Sequence, residues 1–470
     1  MLTYNLTKNS RPLYENLYRC IKNDILNKVL TANEKLPSKR KFASHLGISV
    51  ITIENAYSQL LAEGYIHSLP KKGYYVSESI DFPVLKNPHL KNTLTKNKVK
   101  KNIPPDLKIK YDLTSASLIN NLFPFSVWSK LMRQVISEQG PKLLKKEENI
   151  GIKPLREAIA KHLLTFSGIE VDPSQIIVGA GTEYLYTLLI QLFGLDNTFG
   201  LEDPGYKKIG KIYASNHIKT EYIPLDKDGM SLEALKKSKV NIVHISPAHH
   251  FPTGIVFPIK RRLNLLKWAN ESPSRFIIED DYDSEFRFKG KPIQPLQSID
   301  TNNKVIYMNT FSQSIAPSIR ISYMILPPPI LKLYYQKIGF YSSTVSSFEQ
   351  YTLAKFISEG YYERHINRMK NYYKRKRNVI ISALKKSSIA KIANIEENSS
   401  GLNFLIKLKT ELSDEELKKQ ALQKGLKISC LSEYYKYQEN KIEHILVVNY
   451  SGLEEKDLPK ITEILETILT

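Results

Sequence analysis

The run QIIVGAGTEYLYTLLIQLFG, residues 175–194, decides the fold. It begins as a short β-branched stretch, breaks at glycines and continues as an apolar segment of helical length, so it reads as one strand followed by one helix. The alternation recurs downstream in TFGLEDP then GYKKIGKIYASN, and in VNIVHISP, RFIIEDDYD and KVIYMNTFS. Short runs that end in Gly, Pro or acidic residues, each followed by an amphipathic stretch, are the pattern of βαβ units and predict a mostly parallel sheet. From about residue 360, YYERHINRMKNYYKRKRNVIISAL opens a long helix that leads to the strands GLNFLIKL and HILVVNYS. That ending suits a smaller α+β subdomain over 360–470, packed beside the sheet.

The chain has 470 residues, more than the roughly 100–200 of one domain, so several domains are expected. Its formal charge is +21, from 68 Lys+Arg against 47 Asp+Glu. Such a field favours polyanions, although a general lysine-rich bias would give the same number. Two distant cysteines, Cys20 and Cys430, form no CxxC or His-rich cluster, which argues against a disulfide scaffold and a structural metal site. No run of about 18 apolar residues occurs, and the first residues lack the apolar centre of a signal peptide, so a cytoplasmic protein without membrane attachment is expected.

Working back from the sheet, residues 79–110 are rich in lysine and proline and have no glycine. They read as a basic extended linker. Before it, EKLPSKRKFASHLGISVITIENAYSQLLAEGYIHSLPKKGYYV is legible in detail. Ser38 caps a short helix through about His45, Gly47 permits a tight turn, and Ser49 caps a second helix. That second helix puts Ile53, Tyr57, Leu60 and Leu61 on its apolar face and leaves Val50, Thr52, Asn55 and Ser58 outward. Two helices joined by so short a turn make a helix-turn-helix, whose second helix fits the major groove of duplex DNA. GYIHSLPKKGYYV then reads as a hairpin with a basic tip, a DNA-binding wing. Residues 1–78 are thus one DNA-binding domain and 111–470 the remainder.

Several strand ends in that remainder carry complementary polar groups. Gly181 and Thr182 stand at a helix start, where free N–H groups and the dipole favour a phosphate. Tyr206 offers an aromatic face, His249 and His250 share a turn, and Asp280 and Tyr282 end a very apolar strand. NTFSQSIAPSIR supplies Thr310, Ser312 and Arg320, which suit a phosphate together. A metal on His249, His250 and Asp280 lacks helical ligand spacing, and none is expected.

The N-terminal motifs KLPSKRKFA, LGIS and AEGYI resemble the winged helix-turn-helix of GntR-family regulators. By that resemblance Ser38, Lys39, Arg40, Ser49, Thr52 and Asn55 lie on the DNA side, with Lys71 and Lys72 in the wing. Val50 stands where many members have Arg. The later segments, taken in order, resemble the fold-type I pyridoxal phosphate (PLP) domain of aminotransferases, as it occurs behind a GntR domain in MocR-type regulators. The resemblance covers nearly the whole chain and implies a multidomain protein: a winged helix-turn-helix, then an α/β aminotransferase domain that dimerises and senses a ligand. It makes Asp280 the partner of the pyridine nitrogen, Tyr282 the donor to the phenolic oxygen and Tyr206 the ring's stacking partner. His250 stands near the ring, while Gly181, Thr182, Thr310, Ser312 and Arg320 surround the phosphate. Where the family has the lysine that bonds to the cofactor aldehyde, this chain has Gln313. Its amide nitrogen is neither basic nor nucleophilic, so no catalytic residue is assigned. PLP or its amine form held without a covalent bond, another small molecule such as an amino compound, and a ligand-independent dimerisation scaffold all stay open. An aminotransferase-type enzyme with an accessory DNA-binding domain is the alternative from another class.

Overall fold

The computed structural model describes residues 2–4, 6, 12–78, 109–115, 122–288, 290, 292–397 and 400–469. Met1–Ile103 and Pro104–Thr470 form two compact units. Most of the expected linker, residues 79–108, lies outside the described residues.

In the first unit α1 (Leu13–Leu26), α2 (Lys39–Leu46) and α3 (Val50–Ala62) precede a hairpin of β1 (Ile66–Leu69) and β2 (Gly73–Val76). The Ser38 and Ser49 hydroxyls accept from the N–H groups of Lys41 and Thr52, filling donors that a helix's first turn leaves open. Gly47 ends α2 at φ 65°. Leu17, Ile21, Phe42, Ile53, Tyr57 and Leu60 fill the core. Leu61, expected on the buried face of α3, is 41% exposed, and Ala56 is buried in its stead. At about 100° per residue the stripe runs through 53, 56, 57 and 60, and position 61 falls about 90° from its centre. The wing closes through the Leu69–Gly73 pair, with Lys71 at φ 60° at the tip.

The second unit is built on an eight-stranded sheet in the order β4-β11-β10-β9-β8-β5-β6-β7. A short β3 (Tyr111–Asp112), α4 (Phe125–Gln139) and α5 (Lys153–Ser167) come first. Next come β4 (Ile176–Gly179), α6 (Thr182–Phe193), β5 (Thr198–Asp203), α7 (Lys207–Ser215), β6 (Lys219–Asp226), β7 (Gly229–Met230) and α8 (Leu232–Lys237). Then follow β8 (Ile242–Ile245), α9 (Ile259–Asn270), β9 (Phe276–Asp280), β10 (Val305–Thr310), α10 (Phe311–Ser314) and β11 (Ser322–Ile325). Neighbours from β10 to β6 pair in parallel, whereas β11 runs antiparallel to both β10 and β4. Side chains along β10 alternate between faces: Ile306 and Met308 join one apolar cluster and Tyr307 another, the period of two that a sheet covered on both sides requires.

After α11 (Pro328–Lys337), α12 (Ser347–Ser358) and α13 (Tyr361–Lys386), the chain forms the smaller part. It holds α14 (Ile389–Ile392), β12 (Ala393–Glu396), β13 (Asn403–Leu408), α15 (Asp414–Gln423), β14 (Leu426–Lys427), β15 (Ile445–Asn449) and α16 (Leu458–Leu469). β12, β13 and β15 make an antiparallel sheet over a core that includes Tyr373, Phe404 and Leu465. This is the α/β aminotransferase architecture with a mostly parallel sheet that the sequence implies. Among the described residues no helix is long and apolar enough to cross a membrane.

A Cβ at Gly47 would meet nothing within 4 Å, so only its left-handed backbone resists substitution. Gly47→Ala is expected to lower the stability of the first unit by about 1 kcal/mol, and Gly47→Asn by clearly less. Urea titration of the full chain, followed by a probe in this unit, measures both.

Candidate functional site

A cavity of about 1020 Å³ opens at the C-terminal ends of β5, β8, β9 and β10, where a parallel sheet leaves strand-to-helix loops to converge. Asp280, the last residue of β9, lines it. Its Oδ2 accepts from the Tyr186 hydroxyl at 2.5 Å and lies 3.4 Å from His244 Nε2. Asp280 Oδ1 is buried without a hydrogen-bond partner. The His244 ring is fixed from its far side by Tyr213, whose hydroxyl is 2.8 Å from Nδ1.

Tyr282 also lines the cavity, its hydroxyl 3.2 Å from His249 Nδ1, which Asp283 Oδ2 holds at 2.8 Å. Tyr206 caps α7, lines the cavity and stands edge-on to Phe251, 5.8 Å between ring centres. His250, expected near the ring, does not reach the cavity. It is fully buried, its Nδ1 is 2.7 Å from the Thr253 hydroxyl, and its Nε2 lies 3.6 Å from Glu202 Oε2 behind the wall. Burial pushes the His250 imidazole down to about 3 and raises the Glu202 carboxyl well above the carboxylate range, so both are neutral there. Glu202 and His244 line the cavity in its place.

The opposite corner is built from α6 and the loop after β10. Gly181 starts α6 at φ 91°, and a Cβ there would come within 2.6 Å of Arg320 Nη2. Glycine therefore lets the guanidinium lie against the open end of α6, beside Thr182. Thr310 caps α10 through the Ser312 N–H at 3.1 Å and accepts from the Ser322 hydroxyl at 2.8 Å. The Ser312 hydroxyl donates to Ile319 O at 3.0 Å. Gln313, the next residue, is half-buried at the cavity wall. Arg320 is 3.6 Å from Glu183 Oε2, and Lys208 also pairs with Glu183.

These residues fit the cofactor that the sequence implies. The unmatched Asp280 oxygen suits a protonated ring nitrogen, and the α6 start with Arg320 suits a phosphate. Sequence reasoning missed Tyr186, one helical turn beyond Thr182 and so on the same inward face. It also missed the Tyr434–Tyr437 wall, which is fixed when Asp203 accepts the Lys436 N–H at 2.7 Å and that of Tyr437 at 3.4 Å. The only local sign of that wall was an acid at a strand end.

In the first unit, Ser38, Arg40, Ser49, Asn55, Lys71 and Lys72 are exposed, and Thr52 is half-exposed. Lys39 is already held by Glu54, 2.6 Å from Nζ, and lies over the Tyr74 ring. Ser49 and Thr52 share a hydrogen bond at 2.8 Å.

Residues 117–464 match the family model for aminotransferase class I and II, and residues 13–76 that for bacterial regulatory proteins of the gntR family. The chain is similar to the uncharacterized HTH-type transcriptional regulator YdeL of Bacillus subtilis, 38% identical with 95% of this chain and 94% of that one covered. It is likewise similar to MocR of Rhizobium meliloti, a probable rhizopine catabolism regulatory protein, at 30% identity over 95% and 92% of the two chains. Among solved structures, Pyrococcus horikoshii kynurenine aminotransferase superposes with a TM-score of 0.68 at 23% identity, covering 78% of this chain and 92% of that one.

Two more buried carboxyls follow Asp280 along the chain, Asp281 beside the Tyr307 hydroxyl and Glu285 beside that of Tyr362. Burial raises Glu285 to about 8 and Asp281 to about 6, whereas exposed carboxyls titrate near ~4. These two carboxyls therefore hold more protons in the folded than in the unfolded chain between these values, and their contribution to stability falls as pH rises from about 4 to about 8, whereas the buried His250 contributes with the opposite sign. Glu285→Gln is expected to flatten that slope in thermal unfolding scans across this range.

Proposed function

We propose that this chain, which belongs to the aminotransferase class I and II family and carries a GntR-family DNA-binding domain, regulates transcription by sensing a ligand it cannot process. Residues 1–78 hold the operator DNA, 79–110 connect, and 111–470 bind the effector and pair two copies in the cytoplasm. Pairing suits a reader of two half-sites related by a dyad.

One observation supports the reading: the cavity is lined by Asp280, by Thr182, Thr310, Ser312 and Arg320, and also by Gln313, where the family resemblance implies a lysine. When bound, PLP supplies an electron-withdrawing ring and a reactive aldehyde. This chain's own residues bind and orient that group. Asp280 would accept from the ring nitrogen, with Tyr186 and His244 fixing the carboxylate; Tyr206 would flank the ring and Tyr282 would donate to the phenolic oxygen. Gly181, Thr182, Thr310, Ser312 and Arg320 would hold the phosphate. Gln313 neither bonds to the aldehyde nor carries a substrate proton, because its nitrogen lone pair is delocalised into the amide. Binding is then non-covalent, and the domain has no transaminase activity. The effector, PLP or a related amino compound, acts by favouring one arrangement of the paired DNA-binding units.

Wild-type protein mixed with PLP and treated with borohydride is expected to show an unchanged intact mass. Gln313→Lys should gain one reduced PLP adduct. An adduct on the wild type, for instance at cavity-lining Lys208, would restore the enzyme reading. A Gln313→Lys variant that binds no PLP would point to a scaffold. Separately, Arg40→Ala and Lys71→Ala should each weaken operator binding and lower its salt slope by about 1. Fluorescence anisotropy from 50 to 200 mM salt reads this, and unchanged slopes would remove those two residues from the phosphate contacts.

A further inference from the structure

The first turn of α3 exposes two large aliphatic side chains. Ile51 keeps 68% of its surface and Val50 42%, whereas Ile53, Ala56, Tyr57 and Leu60 of the same helix are buried. The polar groups around them are largely engaged within the domain. The Ser49 hydroxyl caps the helix and shares a hydrogen bond with that of Thr52, and Glu54 is held by Lys39. Asn55 is exposed and lies four residues after Ile51, so the two share one helix face.

We propose that α3 reads A·T pairs in the major groove, with Ile51 and Val50 packed on thymine methyl groups and Asn55 bonded to an adenine edge. Among the base edges of that groove, thymine alone presents a methyl, and adenine's N6 and N7 match a carboxamide in both directions. An aliphatic side chain set against a G·C pair would instead strip water from donors and acceptors and replace none of it. The N-terminal residues of a recognition helix are the ones that reach base edges. Charge complementarity agrees, because Arg40, Lys41, Lys71 and Lys72 are all exposed on the same unit and suit the phosphates on either side. The proposal rests on the DNA-binding reading above and adds the bases that are read.

Selection from a randomised DNA duplex library with the full chain supplies the site, and anisotropy with uracil at each thymine in turn tests it. Wild type is expected to lose about fourfold in affinity for each contacted methyl removed, the ratio that burial of one methyl-sized group gives. Ile51→Ala should bind the thymine duplex more weakly and become indifferent to uracil at that position, while Ile51→Val keeps the sensitivity. Wild type indifferent to uracil everywhere, an Ile51→Ala variant as sensitive as wild type, or salt-dependent binding without an enriched sequence would each overturn the proposal and leave the DNA-binding reading standing. Absence of any duplex binding at low salt would overturn both.

Discussion

A carboxylate fixed at the end of a parallel strand organises the second unit. Asp280 is 6% exposed, and a charge so placed is tolerated only with partners. Tyr186 from α6 and His244 from β8 approach one of its oxygens, and the other has none. Strands β8 and β9 and helix α6 bring these groups together, and Tyr213 holds His244 from behind. On the proposed reading, in which position 313 offers no covalent anchor, this carboxylate and the phosphate corner hold the cofactor.

The chain is strongly basic, yet this cavity is lined by acids and bases alike. Glu202, Asp280 and Asp283 are buried and line it, while Lys207, Lys208 and Arg320 line its other walls. An ampholytic guest with a cationic ring and an anionic tail would meet Asp280 at one end and Lys208 and Arg320 at the other. Burial holds the Glu202 and Glu285 carboxyls protonated near neutrality, so neither adds charge repulsion to Asp280.

Much of this was legible in the sequence, for local reasons. Caps at Ser38 and Ser49, the left-handed Gly47 and the β-branched runs act within a few residues, so helices, turn and strands could be read directly. What depends on distant partners could not. Leu61 was misplaced by helix-face arithmetic, and the Lys39 tie to Glu54 spans two helices. His244, His249 and His250 differ only in which side of a wall they face. The wall at Tyr434–Tyr437 meets Asp203 from more than 200 residues away in sequence, and no pattern in either segment announces the other.

The loop after β10 repays a last look. Its shape is set by Thr310 capping α10, by Ser312 bonded to Ile319 and by Ser314, which accepts from Tyr362 at 3.0 Å. None of these bonds involves the side chain of residue 313. Position 313 is consequently outside the hydrogen bonds that shape the loop, so on the proposed reading its side chain sets the reactivity of the wall while the form of the loop is written by its neighbours.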